Sequence, residues 1–208
     1  MRTKITLLIL AIALLAPGAN TQIVKGYGLT FGTSLASQDW VWSRPSVYMN
    51  DKARWGVDVG AFAELLSGDV FSVLVEVHYV QKGYRDYTVF RSDREGTTTG
   101  TPRVDYLSVP FLAKARVDIG TVSPFLLVGP RLDIMLGVPP AYDEEVFAHL
   151  KSNDFGVTIG GGVEYLIVPS IRIGVEGRYS PGFHDVYRDR YLTISNRSFE
   201  TLLRLSIL

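Results

Sequence analysis

Residues Asp154–Ser180 read DFGVTIGGGVEYLIVPSIRIGVEGRYS. In the first half, Phe155, Val157, Ile159, Val163 and Tyr165 alternate with Asp154, Gly156, Thr158, Gly160, Gly162 and Glu164. After Val168-Pro169-Ser170 the pattern resumes, with Ile171, Ile173, Val175 and Tyr179 set against Arg172, Gly174, Glu176, Arg178 and Ser180. Side chains along a β-strand point alternately to opposite faces. The period of two, broken by a proline-containing link, therefore predicts two antiparallel strands joined by a tight turn.

The same reading extends in both directions. Trp55, Val57, Val59, Ala61, Ala63 and Leu65 oppose Arg54, Gly56, Asp58, Gly60 and Glu64, with Phe62 placed among the polar residues. Near the carboxyl end Phe199, Leu203, Leu205 and Ile207 oppose Glu200, Arg204 and Ser206. Further strands are expected at 24–35, 70–84, 104–117 and 122–136. Their polar faces carry Glu76, His78 and Lys82, then Lys114 and Arg116, then Arg131 and Asp133. Each is long enough for a membrane strand, which needs about 9–11 residues. Short links at 66–69, 118–120 and 168–170 alternate with long ones at 36–52, 85–102, 137–153 and 181–197. Eight strands with both ends on the short-turn side give this alternation in an outer-membrane barrel.

Alternation alone leaves two barrels open. A soluble ligand-binding barrel turns its apolar face inward, and a transmembrane barrel turns it outward. Three features favour the second. Glycine crowds the polar face, as a narrow interior requires. On that face Arg54, Lys82, Lys114, Arg116, Arg131, Arg172, Arg178 and Arg204 balance Asp58, Glu64, Glu76, Asp133, Asp154, Glu164, Glu176 and Glu200, as buried charges must. Aromatics on the apolar face gather at the strand ends: Trp55, Tyr79, Phe155, Tyr179 and Phe199 at one, Tyr27, Phe71 and Tyr165 at the other. Such girdles mark membrane barrels. Phe31 and Phe111 fall mid-strand. Pro110 and Pro130 also lie inside strands, where each removes a ladder donor, so a bulge is expected at one or both.

Bulk properties narrow the function classes. The chain of 208 residues suits one domain, and its 21 basic and 21 acidic side chains leave no basic excess for nucleic acid. It has no cysteine, which excludes disulfides, thiolate chemistry and a lipoprotein anchor. Arg2 and Lys4, the mostly apolar run Ile5–Leu15 and the small residues Ala16-Pro17-Gly18-Ala19 read as a cleavable signal peptide over 1–22. The barrel domain is then 23–208.

Catalytic chemistry is sparse. His78 reads as a member of an interior hydrogen-bond network. His149, beside Asp143, Glu144 and Glu145, reads as part of a solvated acidic loop without zinc spacing. Ser180 with His184-Asp185 is the one Ser/His/Asp grouping, and no histidine is followed two residues later by serine. No catalytic, cofactor or metal residues are therefore assigned. Trp40, Trp42 and Tyr48 in the first long link, and Tyr187, Arg188, Arg190 and Tyr191 in the last, are residue types favoured at binding hot spots and beside lipid headgroups alike.

Tyr106-Leu107-Ser108-Val109-Pro110, Pro124-Phe125-Leu126-Leu127-Val128-Gly129-Pro130 and Gly160-Gly161-Gly162-Val163-Glu164 resemble the PorT-like outer-membrane β-barrel proteins common in Bacteroidetes. The resemblance spans roughly 24–208. It implies an eight-stranded barrel in the outer membrane, some of whose relatives are linked to protein secretion, and it carries no catalytic motif. The expectation is an integral, non-enzymatic, monomeric outer-membrane protein of structural or accessory role. Membrane lipids are its partners, and other envelope proteins could meet its long extracellular loops. The rivals are a surface-binding protein, a lipid-modifying enzyme and a soluble periplasmic barrel.

Overall fold

The computed structural model describes residues 24–43, 46–50, 52–66, 68, 70–85, 87–90, 97–100, 103–137, 152–183 and 192–208. The segment read as a signal peptide lies outside them. The described residues form eleven strands: β1 (Val24–Ser43), β2 (Ser46–Asn50), β3 (Lys52–Leu65), β4 (Phe71–Arg85), β5 (Tyr87–Phe90), β6 (Thr97–Gly100), β7 (Arg103–Arg116), β8 (Val122–Gly137), β9 (Asn153–Val168), β10 (Ile171–Pro181) and β11 (Leu192–Ile207). Eight long ones pair in the order β1-β3-β4-β7-β8-β9-β10-β11, every pair antiparallel, and β11 returns to β1 from Tyr27↔Ile207 to Trp42↔Leu192. The sheet is closed. Over the stretch where all eight strands are paired on both sides, closure leaves no free edge, the condition under which strands cross hydrocarbon.

The wall is inside out relative to a soluble protein. Tyr27, Leu29, Phe31, Trp55, Phe111, Leu126, Phe155, Ile159, Val163, Val175, Phe199 and Leu203 are exposed on its outer surface, while Asp58, Glu76, His78, Lys82, Lys114, Arg131, Glu164, Glu176, Arg178 and Arg204 are buried within. Register arranges the outer side chains in rows. Val163, Val175, Leu203, Phe31 and Val59 are successive cross-strand partners at mid-strand. Tyr179, Phe199, Leu35 and Trp55 form a second row nearer the long-link end. A row that is aliphatic except for Phe31, edged by one that is aromatic except for Leu35, is what a lipid core and its interface select.

The links are shorter than the alternation suggests. β1 continues eight residues past Leu35 to Ser43 and carries β2 on its far end, β11 starts at Leu192, and β5 and β6 pair as a hairpin within the second long link. Beyond the aromatic row a strand needs no apolar face, so Ala36-Ser37-Gln38 keeps the ladder while losing the contrast that reveals it. The short turns are tight: Ile119 and Val122 exchange backbone hydrogen bonds around Gly120, whose φ of +65° suits glycine, and Val168 pairs with Ile171.

The expected proline bulges are absent. The β4–β7 ladder passes from Val75↔Phe111 to His78↔Ser108, and the β7–β8 ladder from Pro110↔Arg131 to Ala113↔Val128, with register unchanged. Pro130 pairs in register with Val157. Each missing N–H removes a rung, and the rungs on either side hold the alignment. Register shifts fall near the strand ends instead, at Val24/Gly26, Ala53/Asp58, Asp105/Tyr106 and Ile171/Arg172.

Candidate functional site

An eight-stranded barrel is just wide enough for its inward side chains to meet. Here those of β3, β4, β10 and β11 meet as ions at its centre. Arg178 of β10 donates to both oxygens of Glu76 on β4, Nη1 to Oε2 at 2.6 Å and Nη2 to Oε1 at 3.0 Å. Arg204 of β11 donates through Nη2 to Glu76 Oε1 at 2.9 Å. Glu176 accepts from Arg178 Nη2 at 2.6 Å and from Arg204 Nε at 3.2 Å. His78 stands beside this group, with Nδ1 2.7 Å from Asp58 Oδ1 and Nε2 3.1 Å from Glu76 Oε2. Both ring nitrogens thus face carboxylate oxygens. Such ions are tolerated away from water because each is paired, and Glu76, Glu176, Arg178 and Arg204 each hydrogen-bond to groups on two strands.

Two further layers lie along the lumen. Toward the long links, Lys82 Nζ donates to Asp133 Oδ2 at 2.5 Å, and Arg131 lies between Asp133 (Nε, 3.1 Å) and Glu200 (Nη1, 3.5 Å). Asn196 joins Gln38 to Asp154, accepting at 2.8 Å and donating at 2.9 Å. Toward the short turns, Lys114 donates to Glu164 at 2.6 Å, and Arg116 contacts Glu64 and Asp118 at 3.5 and 3.1 Å. An apolar cluster of Phe62, Leu74, Leu112, Phe125 and Leu127 is also buried inside. The Arg204 guanidinium lies 4.0 Å from the Phe62 ring centre, and Lys114 Nζ 4.6 Å from that of Phe125. Cations over aromatic faces join the apolar layer to the charged ones. Glycine makes the room: a Cβ at Gly60 would stand 2.6 Å from the His78 ring.

The interior residues expected from alternation are brought together, with different partners. His78 meets Asp58 and Glu76, whereas Lys82 reaches Asp133. The pairs merge into a network, since Glu76 holds Arg178 and Arg204 at once. Arg116 and Arg172 are only half-buried. Ser180 is fully buried, 3.0 Å from Thr158 Oγ1 and donating toward Glu200 at 3.4 Å. His184, His149, the acidic residues near it and the loop residues 187–191 lie outside the described residues, as do the side chains of Trp40, Trp42 and Tyr48. Leu74, Leu112, Phe125 and Leu127 were not legible as interior residues. Their signal is the runs Val73-Leu74-Val75 and Phe125-Leu126-Leu127-Val128, apolar on both parities.

Asp118 lies at the short-turn end of the barrel, where its side chain is exposed. The Ser123 hydroxyl donates to it at 2.6 Å, and Arg116 and Arg172 approach at 3.1 and 3.9 Å. The Ser123 hydrogen bond, and then the two guanidiniums, hold its carboxyl below the usual range. A carboxylate whose folded pKa is depressed adds stability above its unfolded value and loses it as pH falls through the folded one. Protection of the Ile119 and Val122 amides against hydrogen exchange should therefore weaken below the ordinary value of 3.8, and Asp118→Asn should remove that acid step. An unchanged acid step in the variant would assign it elsewhere.

In sequence, the family described as outer membrane protein beta-barrel domain matches residues 24–188. No curated protein matches the sequence. Among solved structures, outer membrane protein OprG from Pseudomonas aeruginosa is similar over 88% of this chain and 95% of its own, at 11% identity and a TM-score of 0.53. Neisserial surface protein A is similar over 86% of this chain and 96% of its own, at 16% identity and a TM-score of 0.49. At such identities OprG supports the fold alone. With the closed, inside-out barrel and a family match over most of its length, the chain belongs to the outer membrane protein beta-barrel domain family and resides in the outer membrane.

Proposed function

We propose that this protein is a non-conducting, non-enzymatic barrel with a structural or accessory role in the cell envelope, of the PorT-like kind that Tyr106–Pro110 and Pro124–Pro130 resemble. The observation that carries the reading is the filled lumen. The Glu76–Arg178–Glu176–Arg204 group crosses the barrel's centre, and the Phe62 cluster packs against it. A pore needs water along its axis, and here side chains occupy it. The position of Ser180 supports the non-enzymatic part. Its hydroxyl is buried in the lumen beside Thr158 and Glu200, on the far side of the wall from lipid.

Purified protein in planar bilayers is expected to give no steady, porin-sized conductance. Stable single-channel steps of that size would overturn the reading. A second reading, binding through the extracellular end, draws on the extension of β1 to Ser43 with β2 and β11 beside it. That three-stranded ledge stands beyond the aromatic row and offers backbone that a partner could meet.

A further inference from the structure

We propose that the outward face of β1 and β11, from the midplane row to the short-turn end, holds one two-chained anionic phospholipid of the periplasmic leaflet, its chains in two adjoining grooves and its phosphate at Lys25. The larger groove, of about 700 Å³, runs across β9, β10, β11 and β1, from Tyr165 and Ile173 to Val175 and Phe31. The smaller, of about 390 Å³, lies over β11, β1 and β3, among Ile207, Tyr27 and Ala61. Both are of a size that binding sites for small molecules have. Leu29 and Leu205 are exposed cross-strand partners that line both grooves. They form a ridge with a hollow on either side. Sequence makes the smaller hollow: Ala61 stands opposite Leu29, and Ala63 opposite Tyr27. A methyl group beside each of these larger side chains leaves a step in the wall.

Depth and charge name the occupant. Phe31 belongs to the midplane row, and Lys25 stands six residues before it. At about 3.4 Å per residue and a tilt of about 45°, that stretch rises about 14 Å, half of a hydrocarbon core about 30 Å thick. The grooves therefore span one leaflet, the depth of one lipid's chains. Tyr27 and Tyr165, both exposed, mark its interface. Beyond Tyr27 stands Lys25, exposed, the extra residue of the bulge between Val24 and Gly26. Bulges re-aim side chains. Among the described residues no ion pair engages Lys25. An ammonium at headgroup level attracts phosphate as a point charge. Short turns face the periplasm, so the lipid belongs to that leaflet.

The test titrates the whole folded barrel, in uncharged detergent, with phosphatidylglycerol or phosphatidylcholine and counts bound lipids by native mass spectrometry. One phosphatidylglycerol should bind saturably and more tightly than phosphatidylcholine. Lys25→Gln should weaken phosphatidylglycerol about fivefold and leave phosphatidylcholine unchanged. Ala61→Trp, which fills the smaller groove, should weaken both lipids. Ala113→Trp, on the exposed outward face of β7, should bind both like the parent. Equal losses in Ala61→Trp and Ala113→Trp would reduce the face to ordinary lipid-covered wall and overturn the proposal. An unchanged preference in Lys25→Gln would overturn it too. So would a lipid-free dimer that Ala61→Trp dissociates, which would give the face to a second copy.

Discussion

Glu76→Gln is expected to destabilise the folded barrel by about 3–5 kcal/mol, the scale for removing one partner from a buried ion group. Glu76 accepts three of the guanidinium hydrogen bonds at the lumen centre, two from Arg178 and one from Arg204, and faces His78 Nε2 as well. The amide keeps the shape and loses the charge, so Arg178 and Arg204 must share Glu176. Adding Arg178→Met removes a cation that the first change stranded. The double variant should therefore lose less than the sum of the single ones, as residues of one network do. Equilibrium unfolding by urea in lipid vesicles measures all three. A loss below about 1 kcal/mol for Glu76→Gln, the scale of exposed pairs, would show that the central group is not held as described.

The second large effect lies on the opposite face of the wall, at Val175 of β10. Val175 is exposed at mid-strand on β10, between Val163 and Leu203 in its row, and its neighbour Glu176 is buried in the lumen. Val175→Arg puts a guanidinium at the hydrocarbon midplane, which costs about 2–4 kcal/mol in outer-membrane barrels. Tyr179→Arg, in the aromatic row four residues along β10, places the same group near the interface, where the cost falls to about 0–1 kcal/mol. Unfolding in vesicles should show that gradient with depth. Equal losses at 175 and 179 would contradict the assigned membrane depth.

Architecture was legible because a membrane barrel writes itself at period two. In 154–164 and 171–180 each side chain's parity decides lipid or lumen, and the buried and exposed sets follow that parity through Glu164, Glu176 and Arg178. The lumen's chemistry was legible in kind. Balanced charges on one face told that ions would be paired, whereas who pairs with whom depends on register and on which strands face across the lumen. Glu76 and Arg178 are 102 positions apart in sequence, and no local pattern joins them. Alternation failed where both parities are apolar, so Leu74 and Leu127 were hidden in runs that read as lipid-facing. It also failed where both turn polar, so the end of β1 was read as loop. Pro110 and Pro130 misled for another reason. A missing donor suggests a bulge, yet the cross-strand partners on either side hold the register more strongly than one lost rung disturbs it.

The central claim is that one face of this wall meets lipid and the other a filled, ionic lumen. The direct measurement attaches a fluorophore to a single introduced cysteine, at position 175 in one protein and 176 in another, each folded in vesicles carrying a lipid-soluble quencher. The label at 175 should be strongly quenched, and the label at 176, where the buried Glu176 side chain faces the lumen, should be spared. Quenching of both, of neither, or of 176 alone while the protein remains folded would contradict the inside-out barrel.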